Sequence, residues 1–384
     1  DGFHTRGWNT LFGSLTVEPD QDTDRQSPTV AALRRQNAVP LGKTTMPEFG
    51  WKAVTDSPLT GVSRNPWNPE LTCGGSSGGN ATALATGMCS LAVGSDIGGS
   101  VRIPASFCGV VGLKPTQDLA PVRLETKSGL LLHSGIMART VEDVALGLDA
   151  VGIPHPRRPA ESGETARYTQ SLAHDVEGLR VALSPGLGLM DVAPEIEEAV
   201  REVGRTLELL DAWVTEVDPE LPDPTDLYTA LYAPGLALDY LRVPEDRREL
   251  VDPGLRETAE VGRGIPATRV VEALQERRRL IAALGRLHQH FDVLLTATVP
   301  IPPFAADLEV PEGWPDERWW SWATLTFPFN ITGQPALSVP CGFTEGGLPV
   351  GAQFIGARFR EDKVLRAAHA YQRSCPRLNR RPPV

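Results

Sequence analysis

Residues 94–116 read GSDIGGSVRIPASFCGVVGLKPT, and within this stretch a serine directly follows two glycines. Glycine lets the backbone turn successive N–H groups toward one point, so Ile97, Gly98, Gly99 and Ser100 together predict an anion-binding nest. A serine at the end of such a nest can attack a carbonyl group while the amides hold the resulting oxyanion. The stretch therefore indicates acyl-transfer chemistry with Ser100 as a candidate nucleophile.

A second glycine-rich stretch lies upstream, at residues 72–80, and reads TCGGSSGGN. Its Ser76 fits the GxSxG pattern of an α/β-hydrolase nucleophile, but that pattern needs a buried strand immediately before it. Residues 64–69, RNPWNP, hold two prolines and predict a loop instead. A phosphate-binding loop would need Lys followed by Ser or Thr where Asn80 and Ala81 stand. An esterase with Ser76 as the nucleophile stays open as an alternative.

A hydrolase of that alternative type also needs a histidine within reach of its serine. Most of the seven histidines lie in polar, helical or linker contexts with no motif around them. His133 is the best candidate among them, although its context is more typical of a structural residue. The histidines therefore add little support to a Ser-His-Asp triad.

Composition limits the partners of the protein. With 41% hydrophobic and 22% charged residues, the 384-residue chain is ordinary for a globular protein. The formal net charge of −11 disfavours a nucleic-acid partner, which requires a basic surface. No apolar run approaches the roughly 20 residues of a membrane helix. Five cysteines without CxxC or zinc-ligand spacing predict a reduced, cytoplasmic protein without a metal site.

Strand and helix patterns alternate along the chain. Residues 179–183 (LRVAL) and 292–299 (DVLLTATV) are typical of buried strands, and residues 194–213 carry apolar side chains at helical spacing. ALSVPCGF and PVGAQFIG flank a turn and predict a hairpin, before a closing helix at residues 362–372. Thr140 begins a capping box that opens another helix. Together these patterns favour an α/β fold with a mixed sheet.

Four motifs make the sequence resemble the amidase signature family. They are GGSSGGN, GSDIGGSVRIPASFCGVVGLKPT, ARTVEDVA and NITGQPALSVPCGF. The resemblance spans nearly the whole chain and is weakest at residues 155–290. It implies one amidase domain over residues 1–384 that lacks its N-terminal segment, with a mixed, twisted sheet covered by helices on both faces. Residues 155–290 would form a more variable helical insertion, and no cofactor is implied.

The resemblance also implies roles for individual residues. The family uses a Ser–cis-Ser–Lys triad, in which Ser100 would be the nucleophile and Ser76 the cis-serine that relays its proton. Ser77 would support them by hydrogen bonding, and the amides of Ile97, Gly98, Gly99 and Ser100 would form the oxyanion hole. The catalytic lysine is expected immediately before Asp1. Lys43, in PLGKTTMPEF, matches a different landmark of the family and is not expected to be the base.

The segment that contains Phe49, Gly50 and Trp51 aligns with an acyl-pocket segment of the family, so an aromatic pocket wall is expected. The implied reaction is hydrolysis of a neutral aryl or alkyl carboxamide to a carboxylic acid and ammonia or an amine, through an acyl-enzyme. A glutamine-hydrolysing component of a transamidosome is one alternative, disfavoured because KAVTDSPLT (residues 52–60) replaces the serine- and asparagine-rich stretch of those proteins. A non-catalytic relative and a homo-oligomer also stay open.

Overall fold

The computed structural model describes residues 1–19, 23–121, 129–152 and 167–383. Its helices are α1 (Pro28–Arg35), α2 (Gly78–Ala85), α3 (Arg102–Cys108), α4 (Val141–Val151), α5 (Tyr168–Ser171), α6 (Pro194–Glu208), α7 (Thr225–Arg242), α8 (Pro253–Gly264), α9 (Ala267–His290), α10 (Phe327–Thr332) and α11 (Glu361–Ser374). Its strands are β1 (Asp56–Ser57), β2 (Gly61–Val62), β3 (Arg64–Asn65), β4 (Asn68–Thr72), β5 (Leu91–Asp96), β6 (Val111–Lys114), β7 (His133–Ala138), β8 (Arg180–Leu183), β9 (Trp213–Glu216), β10 (Val293–Ala297), β11 (Ala336–Phe343) and β12 (Pro349–Gly356).

Eight of these strands form one sheet in the order β5-β7-β6-β11-β12-β10-β8-β9. Neighbours from β5 through β10 run antiparallel, whereas β10–β8 and β8–β9 are parallel pairs. The sheet is therefore mixed, which confirms the predicted fold class. The predicted hairpin is β11–β12, at the centre of the sheet.

Helices cover both faces of this sheet, as the alternating side chains of β12 demonstrate. On one face, Gln353 accepts a hydrogen bond from Arg102 in α3, and a Cβ at Gly351 would lie 2.6 Å from the Ser106 hydroxyl of the same helix. On the other face, Phe354 packs against Tyr371 of α11, with ring centroids 6.3 Å apart. Every residue of β12 is buried, because the strand is covered on both sides.

Two patterns of neighbouring residues, one for a helix and one for a helix cap, can be compared with the structure. The apolar stepping predicted for residues 194–213 forms α6 and then β9. Thr140 caps α4, since its hydroxyl oxygen accepts a hydrogen bond of 3.0 Å from the Asp143 amide. The capping box and the amphipathic helix are confirmed, but the helix ends at Glu208 rather than at Trp213, which begins β9.

The segment expected to be a helical insertion, residues 155–290, is not purely helical. In its described part α7, α8 and α9 are helical, but β8 pairs with β10, and β9 pairs with β8 and completes the central sheet. Residues 153–166 lie outside the described ranges. The parallel pairing of β8 with a strand more than a hundred residues later makes this segment part of the core architecture.

Residues 64–69, predicted to be a loop, instead belong to the small β3–β4 ribbon. Asn65 anchors the ribbon, because its side-chain amide donates to the carbonyl oxygens of Thr72 and Phe107 at 3.1 and 2.9 Å. The two prolines are tolerated since this ribbon has only two strands and is separate from the central sheet. In the described part of the chain, the strand that leads to Ser76 is β4 of this ribbon and not a buried strand of the main sheet, so the nucleophile-elbow alternative lacks its structural context.

The helices and the cysteines can also be described in terms of their apolar character and oxidation state. Among the helices in the described part of the chain, none has the length and apolar character to cross a membrane. All five cysteines are free thiols. Burial raises the pKa of the Cys73 thiol to about 12, so this thiol is protonated at neutral pH.

Candidate active site

Ser76 and Ser100 line the same cavity, which has a volume of about 660 Å³. The backbone joins their two motifs directly, because the Ser77 amide donates a hydrogen bond of 3.0 Å to the Ser100 carbonyl oxygen. The peptide bond between Gly75 and Ser76 is cis. The two glycine-rich stretches singled out in the sequence therefore meet at one site.

The glycines around Ser76 allow close packing rather than flexibility. A Cβ at Gly75 would lie 2.7 Å from backbone atoms of Val54, and one at Gly78 would lie 2.4 Å from the Thr55 hydroxyl oxygen. That hydroxyl donates to the Gly74 carbonyl at 2.8 Å and accepts from the Gly78 amide at 3.1 Å. Only glycine fits these positions, so Ser76 sits in a rigid surround.

The glycines before Ser100 are equally constrained. Gly99 has φ +112, a left-handed conformation that favours glycine, and a Cβ at Gly98 would lie 2.3 Å from the Tyr228 hydroxyl oxygen. Thr326 donates a hydrogen bond of 2.7 Å to the Gly98 carbonyl oxygen and so fixes the orientation of that carbonyl. The backbone at this bend therefore has one well-defined shape.

One of the four expected oxyanion donors is engaged elsewhere. The Gly99 amide donates to the Asp96 carboxylate at 2.9 Å, and the Val101 amide donates to the same carboxylate at 3.2 Å. The prediction that Gly99 contributes to the oxyanion hole is therefore wrong for this arrangement, because its N–H points into the core. The amides of Ile97, Gly98 and Ser100 are left as candidates.

A buried ion pair supports this bend from behind. Asp96 and Arg102 are both fully buried, and the guanidinium makes two hydrogen bonds to the carboxylate, at 3.0 and 2.8 Å. Arg102 also donates to the Thr326 carbonyl oxygen and to the Gln353 side chain. Burial alone would raise the pKa of Asp96, but the Arg102 guanidinium holds it well below its usual range. Asp96 is therefore ionised and fixes two backbone amides next to Ser100.

His133 is structural. It is buried, does not line the cavity, and its Nδ1 donates to the Leu131 carbonyl oxygen at 2.8 Å. Burial, together with the charge of Lys114, holds the pKa of His133 well below its usual range. Because His133 lies outside the lining that holds both serines, and burial disfavours its taking up a proton, it does not fit the role of base for Ser76 or Ser100.

Sequence reasoning missed His4, which does line the cavity with both serines. Its ring packs edge-on against Phe12, with centroids 5.7 Å apart. No motif surrounds His4, so only the tertiary structure could bring it to attention. In the described residues, no group of three or more His, Cys, Asp or Glu side chains is placed to hold a metal ion.

The predicted aromatic wall exists, but its members differ from those expected. Phe49 and Gly50 line the cavity together with Phe3 and Phe12. Trp51 does not, and the expectation that it lines the pocket is wrong. Trp51 is fully buried behind the wall, where its carbonyl oxygen accepts a hydrogen bond from Tyr232.

Lys43 lies outside the cavity lining and binds the beginning of the chain. Its Nζ is 2.6 Å from the Asp1 carboxylate, and it donates to the Asn9 carbonyl at 2.7 Å and to the Thr10 hydroxyl at 2.6 Å. The Asp1 carboxylate also accepts from the Leu11 amide at 3.0 Å. These contacts give Lys43 a structural role.

Comparisons with known proteins agree on the family. The family model described as Amidase matches residues 1–365. An acylamidase from Rhodococcus erythropolis is 36% identical over 387 residues, covering 98% of this chain and 80% of the relative. A component of the glutamyl-tRNA(Gln) amidotransferase of Thermus thermophilus is 34% identical over 411 residues, covering 100% of this chain and 85% of the relative.

Solved structures share the fold over almost all of the chain. A 6-aminohexanoate cyclic dimer hydrolase complexed with substrate has a TM-score of 0.89 at 28% identity, covering 99% of this chain and 84% of its own. A bacterial aryl acylamidase of the amidase signature family has a TM-score of 0.88 at 26% identity, covering 98% of this chain and 81% of its own. The residues that the family model matches, 1–365, include both serine motifs.

Proposed function

Since this chain belongs to the amidase family and acts on amides as a C–N hydrolase, we propose that Ser100 is its nucleophile and Ser76 the relay for the proton of Ser100. The observation that carries this proposal is that both serines line one cavity, with Ser100 directly after the Gly98-Gly99 bend. The fixed backbone around each serine is what a preorganised site requires.

In the proposed reaction, the Ser100 hydroxyl oxygen attacks the amide carbonyl carbon while its proton passes to Ser76 and on to a base. The amides of Ile97, Gly98 and Ser100 hold the oxyanion, and each such donor typically contributes about 3–4 kcal/mol to lowering the barrier. The amine leaves with the returned proton, and an acyl group remains on Ser100. Water then attacks this ester along the same proton route and releases the carboxylic acid.

The base in this proposal is a lysine attached directly before Asp1. Among the described residues that line the cavity there is no lysine that could be this base. Gly2, the residue after Asp1, does line the cavity. A lysine directly before Asp1 must be kept neutral by burial, which lowers the pKa of an amine.

We expect a protein with lysine before Asp1 to lose about 10²–10⁴-fold in kcat/KM when that lysine becomes alanine, the usual contribution of a general base. Lys43→Ala should cost less, because Lys43 only holds Asp1 in place. Activity on an aryl amide should rise toward alkaline pH as the lysine deprotonates. If Lys43→Ala abolishes turnover in a protein that melts normally, Lys43 is the base and this assignment is wrong.

The cavity suits a neutral aryl or alkyl carboxamide. Its volume of about 660 Å³ is in the range that accommodates drug-sized ligands. Phe3, Phe12 and Phe49 supply aromatic surface. Among the charged side chains that line it, Asp239 and Arg242 are 3.6 Å apart and oppose each other. Arg25 also lines the cavity, so the preference for an uncharged substituent on the amide rests on the aromatic surface.

A glutamine-hydrolysing component of a larger amidotransferase is the second candidate, because the Thermus thermophilus relative shares 34% identity with the chain over its full length. The two functions differ in partner and substrate. Purification of the protein from its source with a stoichiometric second protein, together with glutaminase activity, would favour this candidate over the aryl or alkyl amidase. A reducing, cytoplasmic location fits either function, given five free cysteines.

A further inference from the structure

We propose that Glu48, a buried side chain outside the cavity lining, is a positioning residue that sets the aromatic wall and thereby selects which amide substituent is accepted. The inference rests on the proposed function, since it concerns the cavity that holds Ser76 and Ser100. Glu48 is fully buried and is not itself one of the lining residues.

Two residues of the aromatic wall have an unusual backbone conformation. Phe12 and Phe49 stack with centroids 6.2 Å apart and lie in the cavity lining. Their φ angles are 53 and 50, in the left-handed region that residues other than glycine seldom occupy. The Phe49 amide donates a hydrogen bond of 2.7 Å to the Phe12 carbonyl oxygen. Such a conformation persists only where surrounding contacts impose it.

Glu48 supplies those contacts. One carboxylate oxygen accepts a hydrogen bond of 2.5 Å from the Ser14 hydroxyl, two residues after Phe12. The other accepts a hydrogen bond of 2.6 Å from the Asp252 amide. Glu48 is itself the neighbour of Phe49, so one side chain ties both halves of the wall to the start of α8. The Ser14 hydroxyl also contacts Thr16, which lines the cavity.

The Asp252 end of this connection is firmly anchored. Its side chain caps α8 by accepting from the Gly254 amide at 2.9 Å, and it accepts from Lys52 at 3.1 Å. Lys52 also binds Asp56 at 2.8 Å. Burial would lower the pKa of Lys52, but the two carboxylates raise it above its usual value, so the ammonium persists. The helix that follows, α8, packs against α7, whose Asp239 and Arg242 line the cavity.

Removing the Glu48 side chain should therefore let Phe49 relax and change the width of the pocket. In Glu48→Ala, both hydrogen bonds disappear. In Glu48→Gln, the amide oxygen can accept from Asp252 and the amide nitrogen can donate to the Ser14 hydroxyl. Glu48→Gln should therefore keep the wall in place. If the negative charge of Glu48 were required, Glu48→Gln would change the pocket as Glu48→Ala does.

The test compares selectivity rather than activity. The ratio of kcat/KM for phenylacetanilide over acetanilide probes the acyl side, and the ratio for acetanilide over acetamide probes the amine side. We expect Glu48→Ala to change at least one of these two ratios roughly tenfold. One misfitting methylene has an effect of this size in an apolar pocket. Glu48→Gln should stay near the parent ratio. Loss of folded protein scales both rates equally and leaves each ratio unchanged.

Glu361→Ala is the matched control, because Glu361 is also fully buried and accepts a hydrogen bond of 2.7 Å from the Thr116 amide, but lies outside the lining. It should lower stability and preserve both ratios. A Glu48→Ala variant with both ratios unchanged would overturn the inference, as would equal changes in Glu361→Ala.

A binding measurement separates this inference from the proposed function. Calorimetric titration of Ser100→Ala and Ser100→Ala/Glu48→Ala proteins with the same amides gives affinity ratios without turnover. A changed affinity ratio in a protein whose parent hydrolyses none of the amides supports the role of Glu48 and contradicts the proposed function. Unchanged affinity ratios, or no binding of any aromatic amide, contradict the role of Glu48.

Discussion

Ser100→Ala is expected to abolish amide hydrolysis, with a loss in kcat of at least about 10⁴-fold, as when a serine nucleophile is removed from other hydrolases. The fold should persist. Ser100 is only partly buried, and its contact with the Ser77 amide uses the main-chain carbonyl, which alanine retains. Hydrolysis of acetanilide and thermal melting of the same preparation measure the two effects.

A fluorophosphonate probe distinguishes the two serines. In the parent protein it should label Ser100, as identified by peptide mass spectrometry, and the label should vanish in Ser100→Ala. Ser76→Ala should retain slow labelling and lose about 10²–10⁴-fold in turnover, since only proton transfer is impaired. Ser106→Ala, a buried serine outside the cavity lining, serves as the control with normal labelling. Labelling of Ser76 in place of Ser100 would support the esterase alternative.

Features encoded by neighbouring residues could be predicted from the sequence. The helical spacing of α6, the capping box at Thr140 and the turn between β11 and β12 depend on residues a few positions apart. The two serine motifs also belong to this class, because a bend that needs glycine must contain glycine in the sequence itself. Family resemblance then supplied roles that spacing alone could not assign.

Features that depend on distant residues could not be predicted in this way. Glu48 and Asp252 are 204 positions apart, and Arg102 and Gln353 are 251 apart. Neither pair leaves a local pattern. Trp51 illustrates the same limit, because the left-handed turn at Phe49 decides that Phe49 faces the cavity while Trp51 faces the core. The strand pattern of β8 is recognisable in the sequence, but its partner β10 lies far along the chain.

The buried pair of Asp96 and Arg102 carries the second large expected effect. Arg102→Met should lower the free energy of unfolding by about 3–5 kcal/mol, because it leaves the fully buried Asp96 carboxylate without its cation. Turnover of the folded fraction should fall by about 10²-fold or more, comparable to the loss of an oxyanion donor. The reason is that Asp96 fixes the Gly99 and Val101 amides on either side of Ser100.

The pH dependence tests this cause directly. In the parent, Arg102 holds the pKa of Asp96 below its unfolded value, so the pair contributes stability above about pH 4 that is lost as the pH falls. In Arg102→Met, burial raises the pKa of Asp96, and the variant instead loses stability as the pH rises. Urea unfolding should therefore show a smaller difference between parent and variant at pH 4 than at pH 7.

The double variant Asp96→Asn/Arg102→Met separates charge from geometry. It removes the uncompensated carboxylate, so its unfolding free energy at pH 7 should exceed that of Arg102→Met, and its difference between pH 4 and pH 7 should be smaller. Turnover should stay low, since a single asparagine oxygen replaces the two carboxylate oxygens that now accept from Gly99 and Val101. Equal stability of the single and double variants at pH 7 would mean that Arg102 acts by packing and not as the counter-ion of Asp96.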